Sequence, residues 1–357
     1  VNPPNRYDRI ELVPESTPAG GVDTVVVIDH SRNVLTTNES PDVPFELSLN
    51  PYRGCEHGCA YCYARTFHEH LGWSAGLDFE TRIAVKLDAP AVLRRELARP
   101  AYRPRTVSLS GVTDAYQPIE RRLRLTRRIV EVFAETRHPM TVVTKNALVV
   151  RDADLLSRLA AHGAARVWLS VTSLDGNLIR RLEPRTSPPE ARLEAVRRLT
   201  RAGVPCGVLA APMIPGLTDH ELPAILAAAA AAGARWARTM PVRLPGAVAE
   251  VFRDWLEREE PNRVNRVLGR IRSTHGGGLD DGAFDRRMRG RGAHAEQLAR
   301  MFEVAARRHG LETDPPPLRT DAFVPPGGAQ GRLFADVAPR SSGTISEPPR
   351  PRDDRKS

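Results

Sequence analysis

Short, mostly apolar runs recur along this chain, and each leads into a longer stretch whose apolar residues return every three to four positions. The runs are FELSL (45–49), TVSLSG (106–111), MTVVTKN (140–146), ARVWLSVTS (165–173), CGVLAAPMIP (206–215) and ARWARTMPVRL (234–244). Between them lie APAVLRRELA (89–98), RRLRLTRRIVEVFAET (121–136), DADLLSRLAAHG (152–163), PEARLEAVRRLTRAG (189–203) and DHELPAILAAAAAAG (219–233). Runs this short and this apolar predict parallel strands covered by amphipathic helices. Gly163, Gly203 and Gly233 stand where three of the helices should end, because a left-handed residue relieves the chain there. The rhythm predicts an α/β body of six strand–helix units. Six units suit a partial barrel, short of the eight strands of a closed one, or an open doubly wound sheet. In both, polar residues at the carboxyl ends of the strands converge on one rim.

The flanks read differently. Residues 1–43 are polar apart from TVVVIDH (24–30) and predict an N-terminal arm packed against a body spanning 44–245. Two helical patterns, 247–272 and 294–310, with the Gly-rich HGGGLDD (275–281) between them, predict a helical extension over 246–311. The proline, glycine, serine and arginine content of 312–357 predicts a disordered tail.

With 52 basic and 43 acidic residues the chain carries a formal charge of +9, which permits an anionic partner without requiring one. Only Lys86, Lys145 and Lys356 are lysines, so Lys145 stands out where arginine is the default cation. The most apolar stretch, AILAAAAAAGA (224–234), is too short to span a membrane and is mostly alanine. The start of the sequence lacks an export pattern, so a cytoplasmic protein without a membrane partner is expected.

Three of the four cysteines, Cys55, Cys59 and Cys62, fall within eight positions. In a reducing compartment such a cluster reads as a metal site rather than a disulfide framework. Zinc is one reading, with His57 between two of the cysteines as the fourth ligand. An iron–sulfur cluster is the other, with three thiolates leaving one iron open to a small molecule. The position of the cysteines, just after the first strand and on the rim, favours the second. Cys206 opens the fifth strand at the opposite end and reads as a small buried residue.

The C-x3-C-x2-C spacing with Tyr61 before the last cysteine resembles the radical S-adenosylmethionine enzymes, across about residues 45–245. NPYRGCEHGCAYCYAR, GVTDAYQPIE, TKNALVVRDADLL, SLDGNLIRRLEPRTSPPEARLEAV and APMIPGLTDHE resemble the spore-photoproduct-lyase-like branch, which also holds bacterial members of unknown substrate. The resemblance implies a partial (β/α)6 TIM-like barrel and a [4Fe-4S] cluster on Cys55, Cys59 and Cys62. It implies S-adenosylmethionine on the open iron, and a low-potential electron donor such as flavodoxin or ferredoxin. The product would be a 5′-deoxyadenosyl radical that abstracts hydrogen from a substrate. Tyr61 would then lie near the adenine, and Lys145 would pair with the cofactor carboxylate. Ser170 on the same rim would offer a hydroxyl. Thr113, Asp114, Tyr116 and Gln117 would meet cofactor or substrate from the loop after the second strand. Glu183 and Arg185 read as a buried ion pair or a carboxylate clamp.

Enzymes of the branch that repair thymine dimers keep a hydrogen-donating cysteine at the end of the second strand, where this chain has LSGVTD. That departure leaves Tyr61, Tyr63 or Tyr116 as the candidate donor. RRMRGRG (286–292) is a candidate DNA contact. Gln330, Leu333 and Phe334 in AQGRLFADV resemble the peptides that dock replication and repair proteins on the sliding clamp. Two further readings stay open: a DNA- or clamp-associated protein with a structural or redox-sensing cluster, and a structural zinc protein.

Overall fold

The computed structural model describes Pro3, residues 24–43 and residues 45–327. Six parallel strands form the main sheet: β1 (Leu47–Leu49), β2 (Val107–Leu109), β3 (Met140–Thr144), β4 (Ala165–Ser170), β5 (Cys206–Met213) and β6 (Trp236–Pro241). They lie side by side in chain order, with pairs such as Leu47 with Val107, Met140 with Ala165 and Val167 with Cys206. A doubly wound sheet reverses its order at a switch point. This sheet never does, so the architecture is the partial barrel. A two-residue antiparallel strand, Thr36–Thr37, caps the β1 edge.

Helices α1 (Ala89–Leu97), α2 (Leu125–Thr136), α3 (Ala153–Ala160), α4 (Pro189–Arg201) and α5 (Leu222–Ala231) follow the strands as the periodicity predicts. Their apolar stripes are buried: Leu155, Leu156 and Leu159 on α3, and Leu193, Val196 and Leu199 on α4. These stripes join Leu49, Leu109, Val142, Leu169 and Val208 of the strands in one core. Gly163, Gly203 and Gly233 all have positive φ.

The extension contains α6 (Val248–Glu259), α7 (Val264–Thr274) and α8 (Ala293–Arg308). Phe252, Trp255, Val267 and Ile271 from α6 and α7 share a second apolar cluster with Cys59, Ala60, Tyr61, Leu178 and Leu182. The extension therefore packs directly against the cysteine loop. The described part of the arm joins the body through Val25–Ile28, which pairs in parallel with Arg82–Val85; that strand pairs in turn with Tyr52–Arg53.

One expectation is overturned. Residues 312–324, read as the start of a disordered tail, form an ordered strap beneath the amino-terminal ends of the strands. Glu312 exchanges backbone hydrogen bonds with Arg235 and Ala237, and its carboxylate accepts the Trp236 indole N–H at 3.1 Å. Farther on, Arg319 N bonds Gly163 O and Val324 N bonds Thr136 O. Phe323 then stacks edge-on against His138, whose Nε2 lies 2.7 Å from the Tyr102 hydroxyl. Proline content misled here because proline needs no N–H partner, so a segment rich in it can still be fastened by the few N–H groups that remain. Gln330, Leu333 and Phe334 lie outside the described residues.

Two predictions follow from the strap. Phe323→Ala should cost about 1–2 kcal/mol in chemical denaturation, as expected for a half-buried aromatic, whereas an unattached tail would give no change. Burial holds His138 down at about 4, with the Pro139 carbonyl opposing, and burial likewise holds His57 and His68 near 4. The unfolded chain takes up these protons near pH 6.5 and the folded chain only near 4. Stability should thus be full above pH 6.5 and fall as pH drops towards 4. Thermal melts of His138→Gln should show a shallower fall over that window.

Candidate active site at the cysteine loop

After β1 the chain turns through Asn50, whose side-chain oxygen accepts Gly111 N at 2.8 Å and Val112 N at 3.1 Å, tying the ends of β1 and β2 together. The cysteine loop then runs through successive tight turns, Gly58 N to Cys55 O and Cys62 N to Cys59 O, into a 3-10 helix at Tyr63–Leu71. Side chains pin it from every direction. Gln117 accepts from Glu56 N at 2.8 Å and donates to Gly54 O at 3.2 Å. Fully buried Arg65 bonds Cys59 O, Ala75 O, Gly76 O and the Glu80 carboxylate. Arg185 crosses the outer side, donating to Glu56 O and to Glu80 at 2.5 Å. Gly58, with φ +67, lets it pass: a Cβ there would sit 2.5 Å from both Arg185 Nη2 and Glu80 Oε2.

The three thiols are buried or nearly so, at 6% exposure for Cys55 and 7% for Cys59. Burial pushes all three above the ordinary thiol range. The three thiols belong to one tightly turned loop, with Cys55 and Cys59 buried and Cys62 partly so. His57, the fourth ligand of the zinc reading, has both nitrogens engaged elsewhere. Nδ1 lies 3.4 Å from Asp114 and Nε2 lies 3.2 Å from the Asn146 amide. Among the described residues, no three His, Cys, Asp or Glu side chains gather around one single-ion position. Three soft donors without a fourth fit a polynuclear centre with an open metal corner better than a closed tetrahedron.

The strand ends bring most of the other sequence candidates to the same place. Lys145, at the end of β3, donates from Nζ to Ser170 Oγ at 2.7 Å, and Ser170 donates to Ala211 O at the end of β5. The Lys145 ammonium stands 5.9 Å over the Tyr61 ring. Asp114 accepts Thr144 Oγ1 at 2.7 Å and the backbone N–H groups of Lys145 and Tyr116 at 2.8 Å. It therefore works as a bracket between the β2 loop and β3. Thr113 turns back to the Tyr52 carbonyl at 3.3 Å. Asp175 caps the short helix Gly176–Leu182 through Asn177 N and Leu178 N.

Tyr116 departs from expectation. Its side chain is fully buried in the main core, with its ring facing the Arg151 guanidinium. Glu183 also differs from the sequence reading. It pairs with Arg192, both side chains fully buried, whereas Arg185 pairs with Glu80. Burial alone would raise the Glu183 carboxyl, but the Arg192 and Lys145 charges and the Tyr61 and Thr172 hydroxyls hold it down at about 2. Arg192 was legible in principle: it stands on the same helical stripe as Val196 and Leu199, where a charge needs a buried partner.

The radical SAM superfamily profile matches residues 49–229. This chain belongs to the radical SAM superfamily. It is 39% identical over 226 residues to an uncharacterized protein of Mycobacterium tuberculosis, an alignment covering 63% of this chain and 66% of that relative. It is 31% identical over 176 residues to an uncharacterized protein of Methanocaldococcus jannaschii, covering 48% and 62%. The match thus spans just under two thirds of the length of these relatives. The fold is similar to that of spore photoproduct lyase. A mutant with bound AdoMet and dinucleoside spore photoproduct superimposes with a TM-score of 0.54 at 18% identity, over 80% of each chain. Another mutant with the dinucleoside covers 86% of this radical SAM chain and 88% of its own, also at 0.54. No helix among the described residues is long and apolar enough to cross a membrane.

The Gly58 crossing can be tested directly. Gly58→Ala should lower stability by about 1–2 kcal/mol, the cost of a left-handed residue with a Cβ, with further loss from displacing Arg185. Unchanged urea midpoints would mean that the loop gives way there.

Proposed function

We propose that this protein is a radical S-adenosylmethionine enzyme whose cluster site is Cys55, Cys59 and Cys62, and that its substrate is a nucleic acid. The observation that carries the reading is the Lys145–Ser170 hydrogen bond at the strand ends, with the Lys145 ammonium over the ring of Tyr61 in the loop that carries the three cysteines. A [4Fe-4S] cluster held there would supply a low-potential electron and an open iron, and with S-adenosylmethionine a 5′-deoxyadenosyl radical.

The chain's own residues have definite tasks in this reading. Lys145 meets the cofactor carboxylate with a charge-assisted bond, and Ser170 fixes the direction of its ammonium. Asp114 holds the backbone of Lys145, so the cation is aimed before anything binds. Tyr61 presents its ring beside the last cysteine, where an adenine would lie. Of the three tyrosines considered as hydrogen donors, Tyr63 is the one at the mouth. It is 39% exposed, its hydroxyl donates to Gly111 O after β2, and the Arg243 guanidinium lies 5.1 Å over its ring. The Tyr61 hydroxyl is committed to Glu183 and Thr172, and Tyr116 is sealed in the core.

Support for a nucleic-acid substrate comes from the surface beside Tyr63. The loop after α7 returns to this edge: Leu244 N bonds Leu279 O, and Arg243 approaches Asp280. It presents Phe284, 56% exposed, under the Arg287 guanidinium at 4.7 Å, with Arg286 close by. Arg287 is braced by Asp42 and Ser40 of the arm. An exposed ring under an arginine offers a base a stacking platform and a phosphate a cation. A flavodoxin or ferredoxin would deliver the electron, and a sliding clamp remains the partner suggested by Gln330, Leu333 and Phe334.

The test is anaerobic reconstitution with iron and sulfide, reduction, and addition of S-adenosylmethionine. Formation of 5′-deoxyadenosine is expected, with loss in Cys59→Ala and a rise of about 10–100-fold in cofactor KM in Lys145→Met. Stoichiometric zinc, or a cluster that never cleaves the cofactor, would refute the reading. Deuterium moving from labelled DNA into 5′-deoxyadenosine identifies the substrate class, and its absence with every nucleic acid tried removes that part alone.

A further inference from the structure

The six-stranded sheet does not close on itself. Its edges are β6 on one side and, on the other, β1 with the strand Thr36–Thr37 that caps it. One segment reaches from the first edge to the second. It follows α7 and is fastened to the end of β6, where His275 Nε2 meets Val242 O at 2.7 Å and Leu244 N bonds Leu279 O. It continues as the short helix Arg286–Arg289, which packs against β6, and Arg291 N then bonds back to Thr274 O. From the other edge comes Asp42. Asn38 ties this part of the arm to β1, bonding Glu46 O through its N–H and Phe45 O through its amide. Two side-chain turns, at Asn38 and Ser40, lead from there to Asp42. The Asp42 carboxylate, its side chain 2% exposed, accepts Asp285 N at 2.8 Å and the Arg287 guanidinium, which also donates to Ser40 Oγ.

Asp42 is thus a latch across the open side of the barrel. It holds a residue in a strained conformation: Asp285 has φ +65, which a residue other than glycine keeps only when its surroundings compel it. Directly before it stands Phe284, 56% exposed, with the Arg287 guanidinium 4.7 Å from the ring centroid. A large ring left outside by a braced segment is a contact surface, not a core residue. Beyond it the charges are unbalanced. Arg286 pairs with Asp281 and Arg287 with Asp42, but Arg289 and Arg291 are exposed and enter no ion pair among the described residues.

We propose that this latched segment is a binding edge for single-stranded nucleic acid. Phe284 stacks an unpaired base, Arg289 and Arg291 meet the flanking phosphates, and Asp42 is the positioning residue that presents them. This rests on the nucleic-acid substrate proposed for the site. Strand state follows from the chemistry. A base inside a duplex has both faces covered by its neighbours, so a lone ring on a loop stacks only on a base that is unpaired, whereas phosphate contacts do not tell the two apart.

The experiment measures binding, not turnover. Fluorescence anisotropy of the reconstituted full chain uses a labelled oligodeoxynucleotide of about 12 nucleotides, single-stranded or annealed to its complement. The single strand should bind at least about 10-fold more tightly than the duplex. Phe284→Ala should lower single-strand affinity about 10-fold without changing its salt slope, and Arg289→Gln should reduce that slope by about one phosphate contact. Asp42→Asn removes a negative charge, so simple attraction predicts tighter binding. The latch predicts the reverse, about 5–10-fold weaker binding, with little further loss when Phe284→Ala is added. A duplex bound as tightly as the single strand overturns the proposal, as does tighter binding by Asp42→Asn or wild-type binding by Phe284→Ala. Should Asp42→Asn fail to fold, Phe284→Ala decides the matter, because that ring is exposed. Binding of neither probe by a protein that forms 5′-deoxyadenosine removes the nucleic-acid reading itself. Binding of the duplex alone leaves that reading standing and this proposal refuted.

Discussion

The anchoring of the cysteine loop by buried charged side chains is the constraint on which the rest of this molecule depends. The loop that carries Cys55, Cys59 and Cys62 is held inward by these anchors as well as by apolar packing. Arg65 binds the loop's own carbonyls from within, Arg185 crosses it from outside, and both end on Glu80. Gln117 and Glu56 tie its start to the β2 loop. The loop is therefore held in place by the chain's own side chains. The apolar cluster shared by Cys59, Tyr61 and α6 makes the C-terminal extension part of the same enclosure.

The second layer of organisation is the row of strand ends. Lys145, Ser170, Ala211 and Asp114 belong to four consecutive units, yet short hydrogen bonds join them into one rim. This is the usual advantage of a parallel barrel: residues far apart in sequence arrive at one edge on rigid strands, and loops need only connect them. The Glu183–Arg192 ion pair ties the segment from Leu182 to Arg192 to that rim, because Glu183 accepts the Tyr61 hydroxyl and Arg192 donates to Ser170 O.

Much of this was legible in the chain. The six strands and their helices follow directly from periodicity, and their strictly sequential order resolves the choice between barrel and doubly wound sheet that periodicity leaves open. The cysteine spacing pointed to a candidate site, and Lys145, Ser170, Asp114 and Tyr61 lie close to one another beside that loop. What the sequence concealed depends on side-chain direction and long-range pairing. Tyr116 stands two residues beyond Asp114, yet it faces the core. Arg185 is closer in sequence to Glu183 than Arg192 is, yet Arg192 lies one helical turn into α4 and pointed back to reach it. Residues 312–324 show composition at its weakest: a proline-rich segment becomes a strap because Trp236, Gly163 and Thr136 offer backbone and aromatic partners at the barrel's base.

The proposed function requires one iron that no side chain of this protein would ligate and that S-adenosylmethionine would occupy. Electron–nuclear double resonance on the reduced, reconstituted protein with nitrogen- and oxygen-labelled S-adenosylmethionine measures this most directly. The account predicts hyperfine coupling from both the amino nitrogen and a carboxylate oxygen to the cluster, lost when Cys55, Cys59 or Cys62 is replaced. A fully loaded cluster showing no coupling to either label, with every iron ligated by the protein, would contradict it.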